Sequence, residues 1–313
     1  MNRIVLVCLL CLCAIILAPW IGSTSHADLT SFIFWQLRAP RVLTGVVVGC
    51  TLGITGASFQ ALFGNPLASP STTGTTAGAS LGALCALLLF PNEGWFLDLG
   101  VPFFAFCGAM IVSIPIALLA SKRNIHIEDI LLAGIALTLA SGAVTTGLQF
   151  QADIAATYRA VQWSLGSLAQ VGYQSTYFVL PLCSIACVGI LWQTKALETM
   201  ISGEEQAFTQ GVNIRWVRST VLIFGGLGVA ITVAWCGPIT FIGLVVPHIV
   251  RIVFNNTRRI LFPMSGIVGA AFLVLCDAIA RVLLDGRELP VGVLTALIGA
   301  PILIFLVLRR RRF

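Results

Sequence analysis

Residues 199–213 read TMISGEEQAFTQGVN, the longest well-patterned polar interruption in a chain that is otherwise almost continuously apolar. Ser202 followed three positions later by Glu205 fits a capping box: the serine oxygen accepts the Glu205 backbone N–H and the glutamate reaches back. Glu204 and Glu205 fall in the first turn, where the positive end of the helix dipole favours carboxylates. Gly211 is placed to end the helix, because glycine takes the left-handed conformation that closes a C-terminus. The stretch predicts a helix of about two turns outside the bilayer, between two membrane segments. By itself it reads either as a capped connector or as a docking element for a partner that supplies energy.

The rest of the chain says why a bilayer is involved. Of 313 residues, 58% are hydrophobic and 10% charged, with a mean hydropathy of +0.99. A soluble domain carries about 25% charged residues, so the reading is an all-α polytopic membrane protein. Apolar segments that cross, or nearly cross, a bilayer fall at 4–21, 41–62, 77–90, 101–120, 129–150, 174–193, 218–236, 239–254, 264–284 and 290–308. That makes about ten transmembrane helices in one membrane domain spanning 1–313. Arg3, the apolar run after it and the Ser25-His26-Ala27 triplet imitate a signal peptide. A retained first helix is preferred because it makes the orientation consistent.

With ten segments both termini share a side. Placing them inside leaves Arg3, Lys122, Arg123, Lys195, Arg215, Arg218, Arg251, Arg258, Arg259 and Arg309 through Arg312 there. Only Arg38, Arg41, Arg159, Arg281 and Arg287 remain outside. The positive-inside rule therefore puts the termini and residues 199–213 in the cytoplasm. The net charge of +6 belongs to those loops and gives no reason to invoke nucleic acid.

Glycines recur through residues 45–82, with Gly49 and Gly53, then Gly74, Gly78 and Gly82, at four-residue spacing that lets helix backbones approach. Between them residues 65–74, NPLASPSTTG, break the helix with two prolines and several hydroxyls. Unwound backbone at membrane depth is tolerated only where protein or a water-filled cavity satisfies it, which points to a pathway lining. Residues 41–70 and 218–248 share a pattern of arginine, glycine-studded helix and proline-containing break, and residues 133–138 are similar to 291–295. Opposite starting sides make this a weak inverted repeat, a common transporter plan.

Residues 38–41, RAPR, open the second helix on the outer side. Pro40 suits a first turn, but two arginines oppose the dipole there. They call for a negative partner, either headgroup phosphate or an acidic protein surface. Arg281 lies four residues after Asp277, a spacing that allows an ion pair and otherwise leaves a third outward cation. The ten cysteines all sit in apolar segments, and the CxxCxC run at Cys8, Cys11 and Cys13 has no histidine or acid beside it, so they read as small buried hydrophobes. Lys122 and Lys195 are the only lysines and neither lies in a GxxxxGK[ST] loop. His26, His126 and His248 are scattered, and no catalytic arrangement appears.

Several motifs in order resemble one family. They are LRAPR at 37–41, GNPLASP at 64–70, LLAG at 131–134, GLVVPHIVR at 243–251, ELPVG at 288–292 and GAP at 299–301. From about residue 34 onward the chain is similar to the FecCD-type permeases of bacterial ABC importers for ferric siderophores, haem and vitamin B12. The resemblance implies a ten-helix subunit of the bacterial inner membrane, paired with a second permease (an identical copy or a homologous sibling) around a central pathway. It implies two ATP-binding subunits on the cytoplasmic face, so that ATP is bound by partners and no cofactor by this chain, and a periplasmic or lipid-anchored substrate-binding protein outside. Family ATPases meet the segment between the sixth and seventh helices, matched here by Gly203, Glu204, Glu205, Ala207, Gly211 and Val212. The family's docking arginines match Arg38, Arg41 and Arg281. Asn65, Pro66, Gly74, Gly78, Pro247 and Gly292 are the expected pathway or packing positions. The sequence departs from the family at 126–129, HIED, where small hydroxyl residues are usual at the gate. The implied cargo is a metal chelate, an iron(III)–siderophore first, with vitamin B12, haem or molybdate as alternatives. An ion-coupled secondary carrier and a membrane scaffold without transport are the remaining readings, and the chain lacks the unpaired intramembrane acids that such carriers usually keep.

Overall fold

A computed structural model describes residues 2–22, 32–89, 94–122, 125–254, 258–284 and 288–310. The Ser25-His26-Ala27 triplet and Arg123, Arg287, Arg311 and Arg312 of the charge count lie outside them. The described chain is helical, without strands: α1 (Asn2–Leu17), α2 (Ala39–Leu62), α3 (Thr75–Leu89), α4 (Gly94–Ala120), α5 (Ile127–Gln151), α6 (Ile154–Ser164) and α7 (Tyr173–Trp192). Then come α8 (Thr194–Met200), α9 (Glu204–Thr209), α10 (Ile214–Cys236), α11 (Ile242–Val253), α12 (Arg258–Ala280) and α13 (Val291–Arg310). Among the described residues seven helices are long and apolar enough to cross a membrane, and three more are apolar but shorter. Each of the ten segments read from the sequence falls on one of these. The shortest, α11, has 12 residues and covers only about 18 Å at the rise of a regular helix, against a hydrocarbon core of about 30 Å.

α2 is the hub. Nearly all of its residues are buried, and it packs against α7, α10, α11 and α12. Gly49, Gly53 and Gly56 form the contact row: a Cβ on them would overlap the backbone of Gly269, Ser265 and Gly243 respectively. A bilayer supplies little hydrophobic drive between helices, so this close approach supplies the packing. Gly78 and Gly82 do the same for α3 against Gly108 and Phe104 of α4. The exterior is apolar, as lipid requires, with Ile111, Leu132 and Leu139 all more than 65% exposed. Trp20 and Trp35 lie exposed near the start of α2, and Trp192 and Trp216 near its far end, an aromatic belt at each interface.

The second helix starts earlier than the sequence reading placed it. A π-helical turn at Ile33–Arg38 runs straight into α2, so Arg38 and Arg41 lie inside a continuous helical run and do not face the dipole of a helix start. α6 was not anticipated either. It is capped by Asp153, whose carboxylate accepts the Ala156 N–H at 2.8 Å.

Candidate functional site

Three places gather the residues singled out above: the polar element after α7, the two helix breaks in the bundle, and the arginine cluster at the opposite end.

The polar element is two short helices. α8 is seated by buried Leu197 and Met200 against the ends of α2 and α12. α9 spans only Glu204–Thr209. The capping box is not formed: Gly203, with φ 119, is the N-cap and no side chain caps the helix. With Gly203 at the N-cap, Ser202 and Glu205 are out of register for the box, and the neighbouring Glu204 forms an ion pair with Arg218 of α10. The C-terminal reading holds. Gly211 has φ 80, its N–H donates to the Phe208 carbonyl at 3.0 Å, and Val212 N–H donates to the Ala207 carbonyl at 3.0 Å, the paired bonds of a Schellman closure. Ala207 is fully buried, which points Glu205 and Phe208 outward, and Phe208 is 73% exposed. An exposed aromatic on a rigid turn is the kind of anchor that protein interfaces use. The sequence reading missed it because one phenylalanine in an apolar chain carries no signal.

Two breaks meet in the middle of the bundle. After α2 the chain turns at Gly64 (φ 57) and at Asn65, whose Oδ1 accepts the Leu67 N–H at 2.9 Å. Pro66 follows, and the chain then re-enters the protein through a 3-10 turn at Pro70–Thr73. Pro70 lies beside Gly243, which itself packs on Leu52 and Gly56 of α2. The turn has therefore climbed six to ten residues back along α2, about 9–15 Å, and α3 begins partway into the bundle. This accounts for the shortness of α3. Hydroxyls satisfy the unwound backbone: Thr72 Oγ1 donates to the Ser69 carbonyl at 2.6 Å and Thr73 Oγ1 to the Pro70 carbonyl at 2.8 Å. Gly74, with φ 78, reverses the chain into α3.

The second break joins α10 to α11 through Gly237 (φ 67) and Phe241, the one described non-glycine residue with positive φ, at 68°. Such a conformation costs about 1–3 kcal/mol and persists where packing over-determines it; here the missing Cβ of Gly299 makes room for the Phe241 ring. Gly292 lies over the same segment, where a Cβ would overlap the Leu165 carbonyl, and its N–H donates to the Gly166 carbonyl at 3.1 Å. A cavity of about 180 Å³ separates the two breaks, lined by Ser69, Ser71 and Thr76 on one side and Ile239, Thr240 and Phe241 on the other.

Gln60 ties this centre together and was not foreseen. Pro247 has no N–H, so the Gly243 carbonyl four residues earlier lacks its helical donor. Gln60 Nε2 donates to it at 3.3 Å and to the Leu244 carbonyl at 3.2 Å, while Arg251 donates to Gln60 Oε1. His248 is in the same turn, its Nδ1 2.9 Å from the Leu244 carbonyl, which makes Pro247-His248 a shaping element of α11.

At the other end Arg38, Arg41 and Arg281 come together, all under 9% exposed. The sequence called for a negative partner from lipid or another protein. The structure supplies it from within. Arg41 pairs with Asp277 at 2.8 Å and with Glu288 at 2.6 Å. Arg281 forms the expected i,i+4 pair with Asp277 at 3.4 Å and donates to the Ala18 carbonyl at 2.9 Å. Arg38 donates to the Pro19 carbonyl at 3.1 Å, so the cluster also fastens the end of α1 onto α2 and α12. Glu288 is the accessible member, with its side chain 48% exposed. Sequence separations of 236 and 247 residues hid both acidic partners of Arg41.

Comparison with known proteins agrees with this layout. The model of the FecCD transport family matches residues 4–309. The vitamin B12 import system permease proteins BtuC of Salmonella newport and Salmonella typhimurium are each 35% identical over 312 residues, 99% of this chain and 93% of theirs. A solved structure described as an inward-facing conformation of a metal-chelate type ABC transporter superposes with a TM-score of 0.87 at 28% identity, covering 98% of both chains. PsaBC from Streptococcus pneumoniae shares the fold at a TM-score of 0.55 and 14% identity, over 85% of this chain and 89% of that one. Embedded by its apolar helices in the bacterial inner membrane and carrying no ATPase site of its own, the chain belongs to the FecCD transport family of ABC importer permeases.

Proposed function

We propose that this permease moves an iron(III)–siderophore from a substrate-binding protein to the cytoplasm, with α9 receiving the stroke of the ATP-binding subunits and the arginine end receiving the binding protein. The observation that carries the transport mechanism, whichever chelate is moved, is the pairing of a rigid, outward-facing α9 at one end of α2 with two broken helices facing each other inside the bundle. A motor contact and a deformable centre are what alternating access needs. Gly203, Glu204, Glu205, Ala207, Gly211 and Val212 form or close the motor contact. At the opposite end Arg38, Arg41 and Arg281 exceed Asp277 and Glu288 by one charge (three against two), and the binding protein's acids would exchange with Glu288 for Arg41. A second permease, identical or homologous, completes the pathway.

Vitamin B12 is the second reading, favoured by the 35% identity to vitamin B12 permeases. Uptake into proteoliposomes holding the full complex decides between them. Radiolabelled ferric siderophore should enter with ATP and its binding protein, and cobalamin should not; the reverse result replaces the first cargo by the second. An ion-coupled carrier loses ground because Asp277, the buried acid in the last turn of α12, is held by two arginines. Uptake driven by a proton gradient without any ATPase would restore that alternative.

A further inference from the structure

We propose that Arg218 is a positioning residue that links the motor contact to the helix break: a latch through which movement of α9 displaces α5. The inference rests on the reading of α9 as the contact for the ATP-binding subunits, and goes beyond it by naming the route the movement takes.

Arg218 lies on the second turn of α10 and is 6% exposed. Its guanidinium leaves α10 and joins two other elements. One terminal nitrogen, Nη2, pairs with Glu204 in the first turn of α9; the other, Nη1, donates to the Ile125 carbonyl at 3.1 Å, on the segment entering α5. A planar fork with several donors can hold both at once, which a lysine cannot do with the same reach. The two arms close one wall of a cleft of about 1000 Å³, lined by Ile125 through Glu128 on the α5 side and by Glu204, Phe208 and Gly211 on the α9 side. Without the guanidinium, α9 and the start of α5 would face each other across that opening.

α5 is suited to being moved. Only Ile130, Gly134 and Ser141 of its 25 residues are buried. At Gly134 it meets the first break closely: a Cβ there would overlap the Thr72 carbonyl and crowd Thr73. Those residues belong to the 3-10 turn of the first break. A shift of α9 is thus handed to Arg218, from Arg218 to the Ile125 carbonyl, and along α5 about two turns to the re-entrant turn beside the central cavity. Arg218 Nε has no partner among the described protein atoms. The guanidinium is therefore committed to its two terminal arms and anchored to little else.

The test uses the complete complex, with its ATP-binding subunits and binding protein, in proteoliposomes, and reads cargo uptake per ATP hydrolysed. Arg218→Lys keeps a cation for Glu204 and gives up the Ile125 arm; Arg218→Gln gives up the ion pair and, being shorter, the Ile125 arm as well. Both should assemble and hydrolyse ATP, and uptake per ATP should fall about tenfold, within the range that mutations along a coupling network produce. Wild-type uptake per ATP in both variants overturns the latch, as does a fall that only tracks lost assembly. If neither variant assembles, labels at Gln206 and Glu128 of otherwise wild-type complex decide. Their separation should stay constant through the ATP cycle, and a change of about 5 Å, the scale of a one-turn helix shift, overturns the proposal. Phe208→Asp is the separate control: full ATPase association with that variant removes the reading of α9 as the motor contact, whatever the Arg218 variants do.

Discussion

Arg41 and Arg281 lie in apolar surroundings with Asp277 between them, so removing that carboxylate would leave two buried cations without their shared counter-charge. Breaking a buried pair from one side costs about 3–5 kcal/mol. Asp277→Ala should therefore lower the unfolding temperature of the detergent-solubilised permease sharply, and an unchanged midpoint would show that the cluster adds nothing to the fold. Glu288 differs because its side chain is half-exposed. Glu288→Gln should cost about 1 kcal/mol or less. It should also strengthen docking of the binding protein by freeing Arg41, measured as a lower Kd at low salt; a weaker or unchanged Kd would remove the exchange described above.

At the scale of elements, the fold depends on contacts that only absent atoms permit. Gly53→Leu would drive a side chain into the Ser265 carbonyl. Overpacking typically costs about 1–3 kcal/mol, and here the obstacle is backbone, so the loss should reach the top of that range as poor membrane yield or an early thermal midpoint. Gln60→Leu acts differently. It leaves the Gly243 carbonyl without a donor, at about 1–3 kcal/mol for a buried group left unpaired, and removes one acceptor from Arg251. Gln60→Glu keeps an acceptor for Arg251 but turns a carboxylate oxygen toward the two carbonyls, so it too should lose stability; a wild-type thermal midpoint in Gln60→Glu would refute the repair of Pro247 by Gln60.

For the whole molecule, the proposed function gives the two ends of α2 different partners, so their failures should separate. Reversing charge with Glu204→Lys and Glu205→Lys should uncouple the ATP-binding subunits while leaving the permease in the membrane, seen as loss of co-purification. Reversing Arg38 and Arg41 should weaken the binding protein, more visibly at low ionic strength. Both are buried in the cluster with Asp277, so the loss counts only in a variant that keeps its thermal midpoint. Full transport by the glutamate pair, or unchanged receptor affinity in the arginine pair, would remove the corresponding end from the mechanism.

Local chemistry was enough for much of this protein. Apolar runs located the helices, because a lipid solvent leaves the backbone few other options. Prolines at 66 and 70 located the first break, glycine spacing located the α2 packing row, and Gly211 located the close of α9. Ordered motifs carried the family. What the chain could not show in one dimension was which charge meets which. Ser202-Glu205 satisfied a local capping pattern, yet Glu204 folds onto Arg218, and the negative partner demanded by Arg41 lay more than 230 residues away at Asp277 and Glu288. A capping box or a helix period depends on neighbours in sequence, whereas an ion pair in a low-dielectric bundle depends on which helix ends the packing brings within about 3–4 Å. Only the tertiary structure sets that distance.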